Sequence, residues 1–441
     1  MSKRKSSRPA PPRSKHQNAI EAYKQRARVL ARDSQPDAAI QVYKQAAGLA
    51  PKDATLYFEL GKLQVERRQI REGITHLEKA LEIAPNFIPA LIELGQTHSK
   101  HNNLEKALPL LEHALDQAPD NPPVHLVYGA AMQKQGKLPE AIDHFRYALE
   151  LRLGYPTNND NPPKKKQDFD KPATEELMWD TLTLLAKSGI HAFASYGTLL
   201  GLVREGGLLP FDKDIDFGIP HSEMEKACQC LESNGWIDLR MAHITNPRAF
   251  IHPVKEVTLD LSGFVVDPQT NETFTGFWMD NVPYEWSRNT KYVEINLQKD
   301  TSPTGQPIWS LKEPEVWLET IYGEWTISDP YFDTVIAAKN LCGFSLLTQC
   351  YAFSRIFSHW EKGNLKKALA TAEHTLNHLP NDELVKRVKA HIEAALPGEM
   401  LSRSQSASSS TDEESGVTFE KPDESFGTAL ENAITKKITF N

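Results

Sequence analysis

The chain has 441 residues, of which 40% are hydrophobic and 24% charged, and its formal net charge is −8. This length predicts about three domains with well-buried cores, and the negative charge argues against a general nucleic-acid binder. No apolar run approaches the roughly twenty residues of a membrane span, and the first residues lack the hydrophobic segment of a signal peptide.

The first 18 residues are predicted to form a disordered basic arm. Six basic residues occur there without an acidic residue between them, namely Lys3, Arg4, Lys5, Arg8, Arg13 and Lys15. Such a run cannot bury enough apolar surface to fold. Weak attachment to an anionic membrane face is one role open to it.

From residue 19 to residue 153 the sequence repeats every 34 residues. Small residues and prolines recur in register: Gly61, Gly95 and Gly129; Pro51, Pro85 and Pro119; and Ala39, Gly73, Ala107 and Ala141. This period is typical of tetratricopeptide (TPR) repeats, in which small residues let two antiparallel helices approach closely. We predict an all-α solenoid of about four helix pairs. Its concave groove either binds a protein or peptide partner or only supports the rest of the chain.

A linker is predicted from residue 154 to residue 172. It contains four prolines, three asparagines and three consecutive lysines. This composition favours an extended segment between two domains.

A short strand and a helix are predicted next, from Ile190 to Ser195 and from Leu199 to Arg204. Gly197 and Thr198 open the helix. Backbone amides at a helix N-terminus, with the Thr198 hydroxyl as a cap, suit phosphate oxygens, and Arg204 could reach the same charge.

The segment from Asp214 to Ile219 alternates polar and apolar residues, as a half-buried strand does. Asp214 and Asp216 should therefore leave one face while Ile215 and Phe217 enter the core. Two carboxylates placed side by side repel each other and favour a divalent cation between them, and oxygen ligands suit magnesium. By itself, however, this spacing of aspartates also occurs in calcium loops and on solvated surfaces.

Helix and strand signals follow the aspartates. Ser222 and Glu225 form a capping box that predicts a helix ending near Gly235. Val257 to Leu261 alternates again and places Asp260 on the face opposite its apolar residues. A third carboxylate on an adjacent strand could complete a metal site or accept a proton from an attacking hydroxyl. The alternative for Asp260 is an edge-strand surface residue.

Further along the chain, Pro314 to Tyr322 is predicted as a helix that Gly323 ends. Four cysteines, Cys228, Cys230, Cys342 and Cys350, have neither metal-ligand spacing nor a disulfide framework and are predicted to be reduced and mostly buried.

These motifs together resemble the LicD and fukutin-related family of nucleotidyltransferase-fold enzymes. Its signature is a glycine turn, Leu-Leu-Gly, an arginine, a glycine, a proline-aromatic-aspartate step and Asp-hydrophobic-Asp. The matching residues are Gly197, Thr198, Leu199, Leu200, Gly201, Arg204, Gly206, Pro210, Phe211, Asp212, Asp214, Ile215 and Asp216. The strand with Asp260 and the later Tyr322-Gly323-x-Trp325 followed by Pro330 are similar to the family's further motifs. The resemblance covers roughly residues 173–345 and implies an α/β (α+β) catalytic domain with a mixed sheet.

The resemblance implies a transferase that moves a phosphorylated alcohol, such as phosphocholine or ribitol phosphate, from a cytidine diphosphate (CDP) donor to a sugar hydroxyl on a glycan. It implies Mg²⁺ or Mn²⁺ as cofactor, held by Asp214, Asp216 and Asp260, which would also be the catalytic residues. Gly197, Thr198, Arg204 and Asp212 would bind the phosphates. Lys213 replaces a commoner acidic residue of the family, which leaves open whether one or two ions bind.

Two other functions stay open at this stage. The chain could be a TPR scaffold with an inactive nucleotidyltransferase-like domain, or it could transfer a nucleotidyl group from a nucleoside triphosphate. Retention of all three carboxylates favours an active LicD-type transferase. Since no membrane span or signal peptide is evident, we expect this enzyme in the cytoplasm or peripheral to the membrane.

The C-terminal part is predicted to contain a TPR-like helix pair and a capping helix over residues 346–397. Ala368 and Pro380 are spaced as Ala39 and Pro51 are, and a helix from Asp382 to Leu396 would cover the pair. We expect the pair to pack on the catalytic domain. Residues 398–441 are predicted to be a mostly disordered acidic tail, because seven of the fourteen residues from Ser402 to Ser415 are serine.

Overall fold

The chain is multidomain, with helical repeats, a domain built on a mixed sheet, and a final group of helices. The computed structural model describes residues 15–33, 35–157, 170–210, 214–241, 243–268 and 270–396. The acidic tail, nearly all of the basic arm and most of the linker lie outside these residues. The described chain divides into two compact units, Met1–Ala131 and Met132–Asn441. The domain boundaries given above stay predictions.

The first unit is built from helices that alternate with short turns. They are α1 (Lys15–Arg32), α2 (Pro36–Leu49), α3 (Ala54–Glu66), α4 (Ile70–Ile83), α5 (Ile88–Lys100) and α6 (Leu104–Gln117), followed by α7 (Pro122–Lys134), which extends past residue 131.

Small residues lie where the paired helices of the first unit touch. A Cβ added to Gly61 on α3 would stand 2.9 Å from the carbonyl oxygen of Gly73 on α4. A Cβ added to Gly95 on α5 would likewise stand 2.6 Å from Leu111 Cδ2 on α6. The close approach predicted from the repeating small residues is confirmed.

The second unit contains the remaining helices and all of the strands found in the described residues. The helices are α8 (Leu138–Arg152), α9 (Lys171–Lys187), α10 (Tyr196–Glu205), α11 (Met224–Ser233), α12 (Pro314–Tyr322), α13 (Leu346–Glu361), α14 (Leu365–His378) and α15 (Glu383–Ala395). The strands are β1 (Phe193–Ala194), β2 (Asp214–Pro220), β3 (Ile237–Asp238), β4 (Ile244–Asn246), β5 (Arg248–Ile251), β6 (Thr258–Val266), β7 (Thr273–Met279), β8 (Arg288–Tyr292), β9 (Leu297–Thr301) and β10 (Pro307–Leu311).

Eight of these strands form one mixed sheet. The order is β1-β2-β6-β5-β3, and β7 pairs with β4, β6 and β8. β2 and β6 are parallel, whereas β1 pairs with β2, and β5 with β6, in the antiparallel sense. β9 and β10 form a separate antiparallel pair. The predicted mixed sheet is confirmed.

One face of the central strands supplies the core of this sheet. Ile215 and Phe217 of β2 and Leu259 and Leu261 of β6 are fully buried in one apolar cluster. Residues of α9 and α11 complete the cluster. Alternate residues of β2 and β6 consequently face away from it, which confirms the alternation predicted for both strands.

The last helices pack on both α8 and the sheet domain. α13 and α15 lie against α8, where Arg152 contacts Glu361 at 2.8 Å and Arg146 pairs with Asp382. On the sheet side, the Tyr351 ring of α13 meets Phe277 edge-on at 5.5 Å between centroids. The predicted contact with the sheet domain is present, and the contact with α8 adds to it.

Other sequence predictions concern single elements. α12 has the predicted bounds and ends at Gly323, which has φ 68°. All four cysteines are free, and Cys228 and Cys350 are buried, whereas Cys342 is exposed. Across the described residues, no helix has both the length and the apolar character required to span a membrane.

Gly276 on β7 marks the tightest backbone contact of the sheet, and its replacement should destabilise the second unit. A Cβ there would lie 1.9 Å from the carbonyl oxygen of Arg288, so Gly276→Ala must separate β7 from β8 at a cost of about 2–3 kcal/mol. All eight tryptophans lie at or after Trp179, so urea unfolding followed by tryptophan fluorescence reports on this unit. Gly48→Ala, where the new methyl meets nothing within 4 Å, should leave that transition unchanged. An unshifted midpoint for Gly276→Ala would contradict this packing.

Candidate active site

The strands that carry the predicted acidic residues are direct neighbours in the sheet. Asp216 on β2 is the register partner of Asp260 on β6, and Asp214 is the partner of Thr258. Neighbouring strands lie about 4.8 Å apart, and partners in register project from the same face. The structure therefore brings all three predicted carboxylates to one face of two adjoining strands.

The start of α10 holds β2 in position. The Gly197 amide donates to Asp216 Oδ2 at 3.1 Å, and the Asp216 amide donates to Thr198 Oγ1 at 2.8 Å. A third bond runs from the Ser195 amide to the Asp216 carbonyl oxygen at 3.0 Å. The N-terminal turn of the helix is thus attached to the middle of the acidic segment.

Thr198 has a different role from the cap predicted for it. The N-cap residue of α10 is Ser195, whose side chain makes no capping bond, and Thr198 lies inside the first turn. Its hydroxyl accepts from Asp216 instead, because β2 runs directly beside the helix start.

The electrostatics of the site couple Asp260 to Asp214. Asp260 is half-buried, and burial, followed by the nearby Asp214 carboxylate, raises the pKa of Asp260 from 3.8 to about 6. The Thr258 hydroxyl donates to Asp214 Oδ1. Two acidic groups therefore face each other in a partly dehydrated place, where ionising both costs free energy.

The three carboxylates are not yet arranged as a set of metal ligands. Within the residues that the structure describes, no three histidine, cysteine or acidic side chains are gathered closely enough to hold a metal ion. Asp214 accepts a hydrogen bond from the Thr258 hydroxyl, and Asp216 accepts one from the Gly197 amide. The donor chemistry nevertheless fits Mg²⁺ or Mn²⁺, because all the donors are carboxylate oxygens. A cation would also offset the Asp214 charge, which adds to burial in raising the pKa of Asp260.

One predicted phosphate ligand, Arg204, is not brought to this face, and another lies outside the described residues. Arg204 lies in the last turn of α10, about 12 Å along the helix axis from its start, and its guanidinium donates to the Trp325 carbonyl oxygen at 3.2 Å and to Glu205 at 3.0 Å. Asp212 lies outside the described residues.

Two residues at the site were missed by the sequence interpretation. Thr258 stands two positions before Asp260, within a predicted strand, and only the register reveals that it meets Asp214.

Tyr196, the second of these residues, precedes Gly197 and has a left-handed backbone conformation, with φ 43°. Its hydroxyl accepts from the Tyr292 hydroxyl at 3.4 Å. Burial, followed by the neighbouring Tyr292, raises the pKa of Tyr196 well above its usual value. No sequence signal pointed to this contact.

Comparison with protein families agrees with this arrangement. Residues 189–301 match the LicD/FKTN/FKRP nucleotidyltransferase domain, a range that includes β1, α10, β2 and β6 with all three aspartates. The chain contains a LicD domain. Residues 30–94 and 100–150 match tetratricopeptide repeats.

Curated relatives match only part of the chain. The uncharacterized protein RP689 of Rickettsia prowazekii is 42% identical over 79 residues, which is 18% of this chain and 30% of that protein. The uncharacterized protein RT0683 of Rickettsia typhi is 36% identical over 99 residues, 22% of this chain and 32% of that protein. The chain thus spans about a third of the length of these relatives.

Solved structures similar to this chain include tetratricopeptide proteins. MamA from Desulfovibrio magneticus RS-1 is 22% identical, with a TM-score of 0.28, and the match covers 30% of this chain and 75% of that one. YrrB, described as a TPR protein with an unusual peptide-binding site, is 24% identical, with a TM-score of 0.28 and coverage of 32% and 77%.

Proposed function

We propose that the chain is a Mg²⁺- or Mn²⁺-dependent transferase. It moves a phosphorylated alcohol of the phosphocholine or ribitol phosphate type from a CDP-activated donor to a sugar hydroxyl on a glycan. The observation that carries this proposal is the register pairing of Asp216 with Asp260, with Asp214 on the same face. The match of residues 189–301 to the LicD domain supports the reaction class.

Asp214 and Asp216 would hold the metal ion, and Asp260, the register partner of Asp216, would be a third ligand or the base. When bound, the ion supplies positive charge to the diphosphate and stabilises charge that develops on the leaving phosphate. Gly197 and Thr198 stand at the first turn of α10, where a helix leaves amides without helical acceptors. Because the Gly197 amide donates to Asp216 Oδ2, the donor phosphates would meet this turn at the Thr198 amide. Because Arg204 is held at the other end of α10, we propose no phosphate contact for it.

Asp260 is proposed as the general base. Burial, followed by the neighbouring Asp214 carboxylate, raises the pKa of Asp260 to about 6 in the metal-free chain, so its carboxylate is more basic there than that of an ordinary aspartate. The acceptor hydroxyl oxygen forms a bond to the phosphorus that bears the alcohol, and its proton passes to Asp260. The bond from that phosphorus to cytidine monophosphate breaks, and cytidine monophosphate leaves.

The repeats are proposed to recruit a protein or peptide partner, or the acceptor. A cavity of about 420 Å³ lies in the first unit between α3 and α5. Its lining includes Lys62 and Glu66 from α3 and Glu93 and Lys100 from α5. Burial raises the pKa of Glu93, with the Lys62 and Lys100 charges opposing the shift. A lining of both charge signs supports recognition of a polar peptide segment.

Release of cytidine monophosphate tests the proposal. The full chain with Mg²⁺, CDP-choline or CDP-ribitol, and a mixed glycan acceptor should release it and leave the alcohol phosphate on the glycan. Asp214→Asn should lower the rate at least about 100-fold, because the substitution removes a charged oxygen ligand, while Asp180→Asn on the exposed face of α9 should leave it unchanged. Mass spectrometry of the products identifies the group transferred.

Other products would contradict the proposal in specific ways. A nucleotide left attached to the acceptor, from a nucleoside triphosphate, would indicate nucleotidyl transfer. If Asp214→Asn released cytidine monophosphate as fast as the unchanged chain does, the acidic face would have no part in the mechanism. The absence of both turnover and Mn²⁺ binding would favour a scaffold with an inactive domain.

A further inference from the structure

A threonine hydroxyl holds the most exposed of the three carboxylates. Asp214 begins β2 and is exposed, and its register partner on β6 is Thr258. Thr258 Oγ1 donates to Asp214 Oδ1. A carboxylate at the exposed start of a strand would otherwise rotate freely, so this bond selects one orientation.

Thr258 suits this task better than a longer polar residue would. A β-branched side chain on a strand has few rotamers, so its hydroxyl stays on the face shared by Asp214 and Asp260. Hydrogen bonds from neighbouring groups commonly orient metal ligands, and their loss weakens metal binding by about 10–100-fold. The Gly197 amide makes the corresponding contact with Asp216.

We infer that Thr258 is a positioning residue that orients the Asp214 carboxylate for binding a divalent cation. This inference rests on the proposed metal-dependent function. Thr258 itself supplies no ligand; it fixes one oxygen of Asp214, which lies on the same face as Asp216 and Asp260.

Mn²⁺ binding to the full chain, measured without substrate by calorimetry or by the loss of the free-ion paramagnetic resonance signal, tests this inference. Thr258→Val preserves the shape and removes the hydroxyl, and should weaken Mn²⁺ binding about tenfold or more. Thr258→Ser restores the hydroxyl and should return affinity to within about threefold of the original, because the same donor is available. In chelator, the thermal midpoint of Thr258→Val should stay within about 2 °C of the unchanged protein, because the bond is at the surface.

Thr273→Val is the matched control. Thr273 is fully buried on β7, and its hydroxyl has no hydrogen-bond partner, so this variant should bind Mn²⁺ as the unchanged chain does. Equal Mn²⁺ affinity of Thr258→Val and the unchanged chain would overturn the inference, as would a loss that serine does not restore. If the unchanged chain binds no Mn²⁺, the proposed function fails as well, so the two failures are distinguishable.

Discussion

Asp260→Asn is expected to make the metal-free protein more stable while lowering its transferase activity at least about 100-fold. Burial and the neighbouring Asp214 raise the pKa of Asp260 from 3.8 to about 6, so an ionised Asp260 is unfavourable in the folded chain. Asparagine removes that charge and keeps nearly the same shape. The activity falls because the proposed base is lost.

The stabilisation produced by Asp260→Asn should increase as the pH rises. The folded pKa lies above the unfolded value, so the folded state binds the Asp260 proton more tightly and this group opposes folding when pH is high. The pKa of Asp260 is higher by about two in the folded chain than in the unfolded chain. At pH 7.5 this difference stabilises the asparagine variant by about 1–3 kcal/mol relative to the unchanged chain. The advantage should shrink as pH falls through 6 and vanish only below about pH 3, where both states hold the proton.

Thermal unfolding in chelator, followed by tryptophan fluorescence at several pH values, measures this effect. Adding Mn²⁺ should raise the midpoint of the unchanged chain more than that of Asp260→Asn, because only the former keeps all three carboxylates. A variant that is less stable at pH 7.5, or equally stable at every pH, would show that Asp260 carries no unfavourable charge.

Much of this site could be predicted from the sequence because its signals are local. Alternation in β2 and β6 identified which aspartates face away from the core, since residues such as Ile215 and Leu259 must be buried. The 34-residue period and the bounds of α12 depend on small residues, proline and glycine at fixed positions. Each of these features is set within a few turns or one strand.

What the sequence could not give depends on contacts between distant segments. The parallel pairing of β2 with β6 places Asp216 opposite Asp260, and no short-range pattern encodes that register. The helix predicted from Ser222 and Glu225 begins at Met224, after a short turn over His221–Glu223. Glu223 accepts from the backbone amide of His191 at 2.7 Å and contacts the His191 ring at 2.6 Å. This contact joins residues 32 positions apart, so no local pattern predicts it.

A second large effect is expected where the sheet domain meets the last helices. Asp333 is buried, and the Arg355 guanidinium of α13 contacts both of its carboxylate oxygens. Asp333 Oδ1 also accepts from the Val335 amide at 3.0 Å. The carbonyl oxygens of Thr334 and Val335 accept in turn from Arg288 of β8, at 2.6 and 2.8 Å. The Asp333 carboxylate therefore links α13 to residues 334–335, which are hydrogen-bonded to β8.

Arg355→Met should destabilise the second unit by about 3 kcal/mol. The substitution keeps the apolar stem of the side chain and leaves Asp333 buried without its positive partner, and breaking a buried pair from one side is costly. Asp333→Asn in the same chain removes the uncompensated charge and keeps an oxygen for Val335. The double variant should therefore be more stable than Arg355→Met by about 2 kcal/mol.

Urea unfolding of the four chains, followed by tryptophan fluorescence, completes the double-mutant cycle. A coupling free energy of about 2 kcal/mol is expected because the two side chains are in direct contact. The transition should also stay single, since Trp360 of α13 and Trp278 of β7 then unfold together with the sheet. Additive effects of the two substitutions, or a separate early transition of the last helices in the unchanged chain, would show that this ion pair does not join them to the LicD domain.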